Sequence, residues 1–107
     1  MVWLPGAFEL GGAASVVAQT GRYSAIVALG CVVRGETAHV DFVAGEAARG
    51  LSDVAVRHGL PVAFGVLTTE TMDQALARAG GDAGNKGYEA AEAALRTADA
   101  LRQLRGT

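Results

Sequence analysis

Residues 26–39 hold the densest chemistry of the chain. An apolar run from Ile26 to Val33 leads into a polar, glycine-containing turn with Arg34, Glu36 and Thr37, and His39 follows at once. Such a turn offers hydrogen-bond donors and a cation to an anionic small molecule, and the histidine can move protons near neutral pH. A second apolar run, Pro61-Val-Ala-Phe-Gly-Val-Leu-Thr-Thr-Glu70, also ends in polar side chains. Beyond it, Arg78-Ala-Gly-Gly and Gly84-Asn-Lys-Gly-Tyr-Glu89 add two cations beside glycines. Ligands of open α/β sheets bind beyond the carboxyl ends of the strands, so these polar ends are expected to build one site.

Strands and helices must alternate to place them. Residues 24–33 and 62–68 are continuously apolar, as parallel strands covered on both faces are. Residues 1–4 read as the tail of another strand, ending at Pro5-Gly6. Residues 7–19 form a small, apolar helix stopped by Gly21. In residues 39–58, Val40, Val43, Ala44, Ala47, Leu51, Val54 and Ala55 recur at helical spacing and Gly59 ends the segment. Residues 71–79 give a short helix that stops at Gly80-Gly81. Residues 87–105, rich in good helix formers, give a long one. This alternation predicts a parallel sheet flanked by helices. No linker, repeat or low-complexity tract interrupts it, so a single domain over residues 1–107 is expected.

Composition narrows the function classes. Half of the 107 residues are hydrophobic and the net charge is −2. A nucleic-acid binder usually carries a basic patch or stripe; here Arg96, Arg102 and Arg105 suit a helix C-terminus instead. No apolar run is long enough to span a bilayer, and the first residues lack the features of a signal peptide. The one cysteine, Cys31, cannot form an internal disulfide, which fits the reducing cytoplasm. Inside its apolar strand it reads as a small buried hydrophobe.

Leu4-Pro-Gly-Ala-Phe-Glu-Leu10, Ala28-Leu-Gly-Cys-Val-Val-Arg-Gly-Glu-Thr-Ala-His39, Phe64-Gly-Val-Leu-Thr-Thr-Glu-Thr-Met-Asp-Gln-Ala75, Arg78-Ala-Gly and Gly84-Asn-Lys-Gly-Tyr-Glu-Ala-Ala91 together closely resemble the 6,7-dimethyl-8-ribityllumazine synthases of riboflavin biosynthesis. The resemblance runs along essentially the whole chain, with the motifs in order. It implies a flavodoxin-like α/β fold and a transferase that condenses 5-amino-6-(ribitylamino)uracil with 3,4-dihydroxy-2-butanone 4-phosphate. An imine forms, phosphate leaves, and the ring closes with loss of water. The family uses no metal or organic cofactor. Its subunits form pentamers, in some members an icosahedral shell, with each active site between neighbouring subunits; riboflavin synthase is a possible further partner.

The resemblance also implies roles for residues. His39 is the acid/base group; taken alone it reads as a surface histidine at a helix start, and His58 as a helix-end residue. Arg78 and the turn Gly35-Glu36-Thr37 match the phosphate site, Glu36 being the weakest match because turn carboxylates are common. Glu9 matches the glutamate that accepts hydrogen bonds from ribityl hydroxyls, although a first-turn helix carboxylate would also stand there. Ala7 and Phe8 match the lining of the ribityl and pyrimidine region. Cys31, Val32 and Val33 stand at the strand-end substrate positions, where the backbone of Val32 and Val33 addresses the uracil ring. Phe64 matches an apolar wall and Lys86 a lysine near the substrate; a core phenylalanine and a solvated loop lysine are their plain alternatives.

Some positions depart from the family pattern. Ala38 replaces a usual proline that would stiffen the turn before His39. Gly11-Gly12 replaces a proline and a larger residue, at a cost to helix stability. Val40 stands for a usual aromatic and Phe42 for a common tyrosine. The family's chains also run roughly fifty residues longer at the N-terminus, within ordinary domain size, so the family's first strand and helix are expected to lie outside this sequence. A catalytically inactive shell or oligomerisation protein is therefore the alternative, although a remnant would have no physical need for Glu9, His39, Arg78 and Lys86 together. A flavin- or nucleotide-binding module is disfavoured, since no glycine-rich phosphate loop opens a helix after the first strand.

Overall fold

The computed structural model describes residues 1–34 and 39–106. A 3-10 turn over Ala7–Glu9 leads directly into helix α1, Leu10–Gln19. Strand β1 (Ile26–Val33), helix α2 (His39–His58) and strand β2 (Val62–Thr69) follow, then the short helix α3 (Met72–Arg78). Two short strands, β3 (Ala79–Gly81) and β4 (Gly84–Asn85), precede the long helix α4 (Lys86–Leu104). β1 and β2 pair in parallel, in register from Ile26 opposite Val62 to Val33 opposite Thr69. The expected architecture, a parallel sheet between helices, is the one observed.

Small side chains set the spacing of the layers. Ala14 of α1 and Leu51 and Val54 of α2 pack with Ala28 of β1, and Leu10, Ala18, Ile26 and Val62 close around them. Ala63 of β2 packs with Ala90 and Ala94 of α4. Adjacent strand residues point to opposite faces, so the neighbours Val62 and Ala63 divide the sheet between the two helical layers. α1 and α2 cross where Gly11 meets Gly50: a Cβ on Gly11 would lie 3.2 Å from the Gly50 Cα. The helix cost expected of Gly11 is thus the condition for a close crossing of two backbones. Gly59 ends α2 in the left-handed region, at φ 59°, where glycine pays no steric penalty. Its carbonyl accepts a hydrogen bond from Arg105 Nη2, which ties the end of α4 to the turn before β2.

Gly65 is the tightest position of the sheet. An added Cβ would sit 2.7 Å from Leu29 Cδ2, 3.0 Å from Ala90 Cβ and 3.1 Å from the Ala28 carbonyl oxygen. Leu29 can turn away, but the helix and the strand backbone cannot. Gly65→Ala is therefore expected to destabilise the fold by about 1–3 kcal/mol, the usual cost of overpacking, read as a lower urea midpoint with an unchanged m-value.

Two expectations need correction. Residues 1–4 form no strand; Met1, Val2 and Trp3 are exposed, and among the described residues no ladder partner pairs with them. β1 is not covered on both faces: Val27 and Leu29 are 40% and 54% exposed, and Cys31, expected to be buried, is exposed as well. Val27, Leu29 and Cys31 alternate along β1 and so share one face, which is left open among the described residues, while Ala28 on the opposite face is buried against α1 and α2. Between α3 and α4 lies the antiparallel pair β3–β4, with Gly80 and Gly84 at φ 111° and 102°.

Candidate active site

The C-terminal end of β1 gathers the first group of candidates. The 3-10 turn carries Ala7, Phe8 and Glu9 and packs against both β1 and α2. Val32 and Val33 end β1, both half-buried, and His39 opens α2, exposed. Phe8 stacks on Phe42, one turn into α2 from His39, with ring centroids 6.4 Å apart and planes at 18°. This offset pairing of two exposed rings is worth about 0.5–1.5 kcal/mol beyond its buried area. It holds the start of α2 beside the turn that bears Glu9. Phe42, noted in the sequence only as a replacement, is the aromatic that joins the two elements. Its position one helical turn after His39 was the available signal.

Arg34 is not the free donor that its place in the turn suggests. Its backbone N–H extends the sheet ladder to the Thr69 carbonyl at 2.7 Å. Its guanidinium Nη1 lies 3.1 Å from Asp41 Oδ2 in the first turn of α2 and 3.9 Å from Glu70 Oε1 just beyond β2. Thr69, buried, donates its hydroxyl to the Thr71 carbonyl at 2.9 Å. Thr71 then caps α3: its hydroxyl accepts from Gln74 N at 3.2 Å, while Gln74 Oε1 accepts from Glu70 N at 2.9 Å. This exchange is close to a capping box. It fixes the chain as it leaves the sheet.

A second group sits on other elements. Phe64 is the third residue of β2, 37% exposed, in a shallow groove with Val62, Ala93 and Thr97, away from the polar strand end. Arg78 ends α3, exposed, and its Nη1 donates to the Gln74 carbonyl at 3.0 Å. Lys86 is the first residue of α4, half-buried, directly after Asn85, whose Oδ1 caps the helix by accepting from Tyr88 N at 2.9 Å. Lys86 is thus a helix residue and not the loop residue of its plain alternative. A cation is unfavourable at a helix N-terminus, so the helix itself gives no reason for a lysine there. Among the described residues, no hydrogen bond, ion pair or ring contact joins Phe64, Arg78 or Lys86 to His39, Phe8 or Glu9. Gly35, Glu36 and Thr37, with Ala38, lie outside the described residues.

Among the described residues, no group of three or more His, Cys, Asp or Glu side chains could hold a metal ion, and no helix is long and apolar enough to cross a membrane. The arrangement offers a proton-transfer group, an aromatic surface and a carboxylate at one strand end, with two cations on neighbouring elements.

Comparison with known proteins decides the family. The model of the 6,7-dimethyl-8-ribityllumazine synthase family matches residues 1–102. The chain belongs to this family. A 6,7-dimethyl-8-ribityllumazine synthase of Yersinia pestis (strain Pestoides F) is 56% identical over 106 residues, covering 99% of this chain and 68% of that protein. The synthase of Yersinia pseudotuberculosis serotype O:1b (strain IP 31758) gives the same figures. Family membership makes the strand-end group a lumazine-synthase site candidate rather than a generic turn with a histidine.

Proposed function

We propose that this chain catalyses the condensation of 5-amino-6-(ribitylamino)uracil with 3,4-dihydroxy-2-butanone 4-phosphate, with His39 as the acid/base group. The observation that carries the assignment is the junction of the 3-10 turn and α2 at the end of β1. There the Phe8–Phe42 stack holds Glu9 and His39 on adjoining elements. Imine formation, phosphate loss and ring closure each need a proton moved, and a positioned histidine does this at neutral pH. Glu9 accepts hydrogen bonds from the ribityl hydroxyls. Ala7, Phe8 and the strand end at Cys31, Val32 and Val33 line the pyrimidine, and Gly35, Glu36 and Thr37 offer donors to the phosphate.

Phe64, Arg78 and Lys86 complete the site from a neighbouring copy. Their place on β2, α3 and α4, apart from the His39 group, supports a site shared between subunits of a pentamer or a larger shell. No cofactor is assigned, and riboflavin synthase, which would consume the product, is the proposed further partner. The lone cysteine suits a reducing compartment, and the cytoplasm is the proposed location.

The test is direct. The purified chain, given both substrates, should form 6,7-dimethyl-8-ribityllumazine, followed by its absorbance and fluorescence, and should sediment as pentamers or larger. Assembly without lumazine would identify a non-catalytic shell protein and overturn the enzymatic assignment.

A further inference from the structure

We propose that Arg34, Asp41 and Glu70 form an ionic clamp that positions the first turn of α2, and with it His39, over the end of the sheet. The proposal rests on His39 acting as described above. Arg34 is anchored first by its backbone, through the 2.7 Å hydrogen bond from its amide to the Thr69 carbonyl. The start of its side chain therefore moves with the sheet and not with the turn. Its Nη1 reaches both oxygens of Asp41, at 3.4 and 3.1 Å, and stands 3.9 Å from Glu70 Oε1. One cation thus faces two carboxylates, one from α2 and one from the chain leaving β2.

That charge balance decides what the cluster does. Two carboxylates around one guanidinium leave a net negative charge, which repels a phosphate, so Arg34 is a positioning residue and not a phosphate ligand. Stability is not its main contribution either, because the Arg34, Asp41 and Glu70 side chains are 38%, 58% and 66% exposed, and exposed ion pairs add little. Position is what remains. Asp41 and Phe42 are consecutive, and they fasten the same helical turn to two different supports: Asp41 to Arg34 at the sheet end, Phe42 to Phe8 of the 3-10 turn. Residues on one helical turn share its orientation, so the two contacts together fix the rotation and height of the turn that carries His39. A displacement of about 1 Å at a reacting group can cost a hundredfold in rate. A contact that adds little to stability can therefore matter to turnover.

The experiment is a double-mutant cycle in the full chain, with Arg34→Ala, Asp41→Ala and both together. Each single change should lower kcat about tenfold, within what misplacement can cost, with the KM of both substrates changed less than about twofold. The double variant should lose no more than the worse single one, and Arg34→Lys should recover part of the rate. Amide hydrogen exchange supplies a readout that needs no activity. In Arg34→Ala the amides of residues 43–45, which bond within the start of α2, should exchange about threefold faster, the scale of losing an exposed ion pair, while those in the middle of α4 keep their rates. Additive losses in kcat, a rise in KM for the butanone phosphate alone, or unchanged exchange at residues 43–45 would each overturn the clamp. A parent chain that formed no lumazine would overturn the proposed function, and the exchange data would still decide whether the clamp exists.

Discussion

Replacing His39 by alanine is expected to slow lumazine formation about a hundredfold, the low end of what one acid/base group contributes. The reaction needs protons to reach and leave nitrogen and oxygen atoms as the imine forms and phosphate departs. His39 is the histidine proposed for this. It opens α2 at the end of β1, exposed, one turn from the Phe42 ring that stacks on Phe8. The effect should fall on kcat, with substrate KM values little changed, because a group that acts on the moving proton strengthens its interaction in the transition state. His58 is the internal control. It lies in the last turn of the same helix, at its other end, so His58→Ala should leave turnover within about twofold of the parent, as surface changes away from a site do. Steady-state assays of the three proteins decide the matter. An unchanged kcat in His39→Ala would remove His39 from the mechanism.

How far the sequence reached depends on the range of the interaction involved. α2 was legible to both of its ends, because seven apolar residues recur at helical spacing between a polar turn and Gly59. β1 and β2 were legible as apolar runs, and α4 from its composition. Each of these signals is local. Cys31 was misread because its burial depends on what packs on the face it shares with Val27 and Leu29, and no local signal carries that. Residues 1–4 look like strand material, yet a strand exists only where a ladder partner accepts its backbone. The β3–β4 pair is too short to show any periodicity. Within the site, His39, Glu9 and Phe8 came from a family resemblance, whereas the Phe8–Phe42 stack and the Arg34–Asp41–Glu70 cluster came only from the fold. Both bring together side chains that chain spacing leaves apart, and a charged residue in a turn gives no sign of whether its partner is a ligand or a carboxylate of the same chain. Arg34 shows the consequence: it looked like a donor for a ligand and is engaged with Asp41.

The cation proposed for the leaving phosphate is Arg78, and its replacement tests the proposed shared site most sharply. Arg78→Ala is expected to raise the KM for 3,4-dihydroxy-2-butanone 4-phosphate by about tenfold to a hundredfold, since hydrogen bonds to charged groups are worth roughly 1.5–3 kcal/mol. The KM for the ribityl pyrimidine, which carries no phosphate, should change little. Among the described residues of one subunit, the guanidinium engages a neutral partner, the Gln74 carbonyl at 3.0 Å. A phosphate offers it a charged, bidentate partner instead. Losing the carbonyl contact costs little at the exposed end of α3, so the variant should keep its melting temperature within a few degrees, the scale of a surface change. Arg78→Lys should recover only part of the affinity, because an ammonium cannot make the two-pronged contact. The location of Arg78 adds a further expectation. If it serves the His39 of a neighbouring copy, assemblies mixed from His39→Ala and Arg78→Ala subunits should regain activity that neither variant shows alone, since some interfaces then join an intact His39 to an intact Arg78. Restored turnover on mixing, measured at low butanone phosphate, would place the two residues on different subunits of one site. Equal weakening of both substrates by Arg78→Ala would instead remove this arginine from the phosphate site.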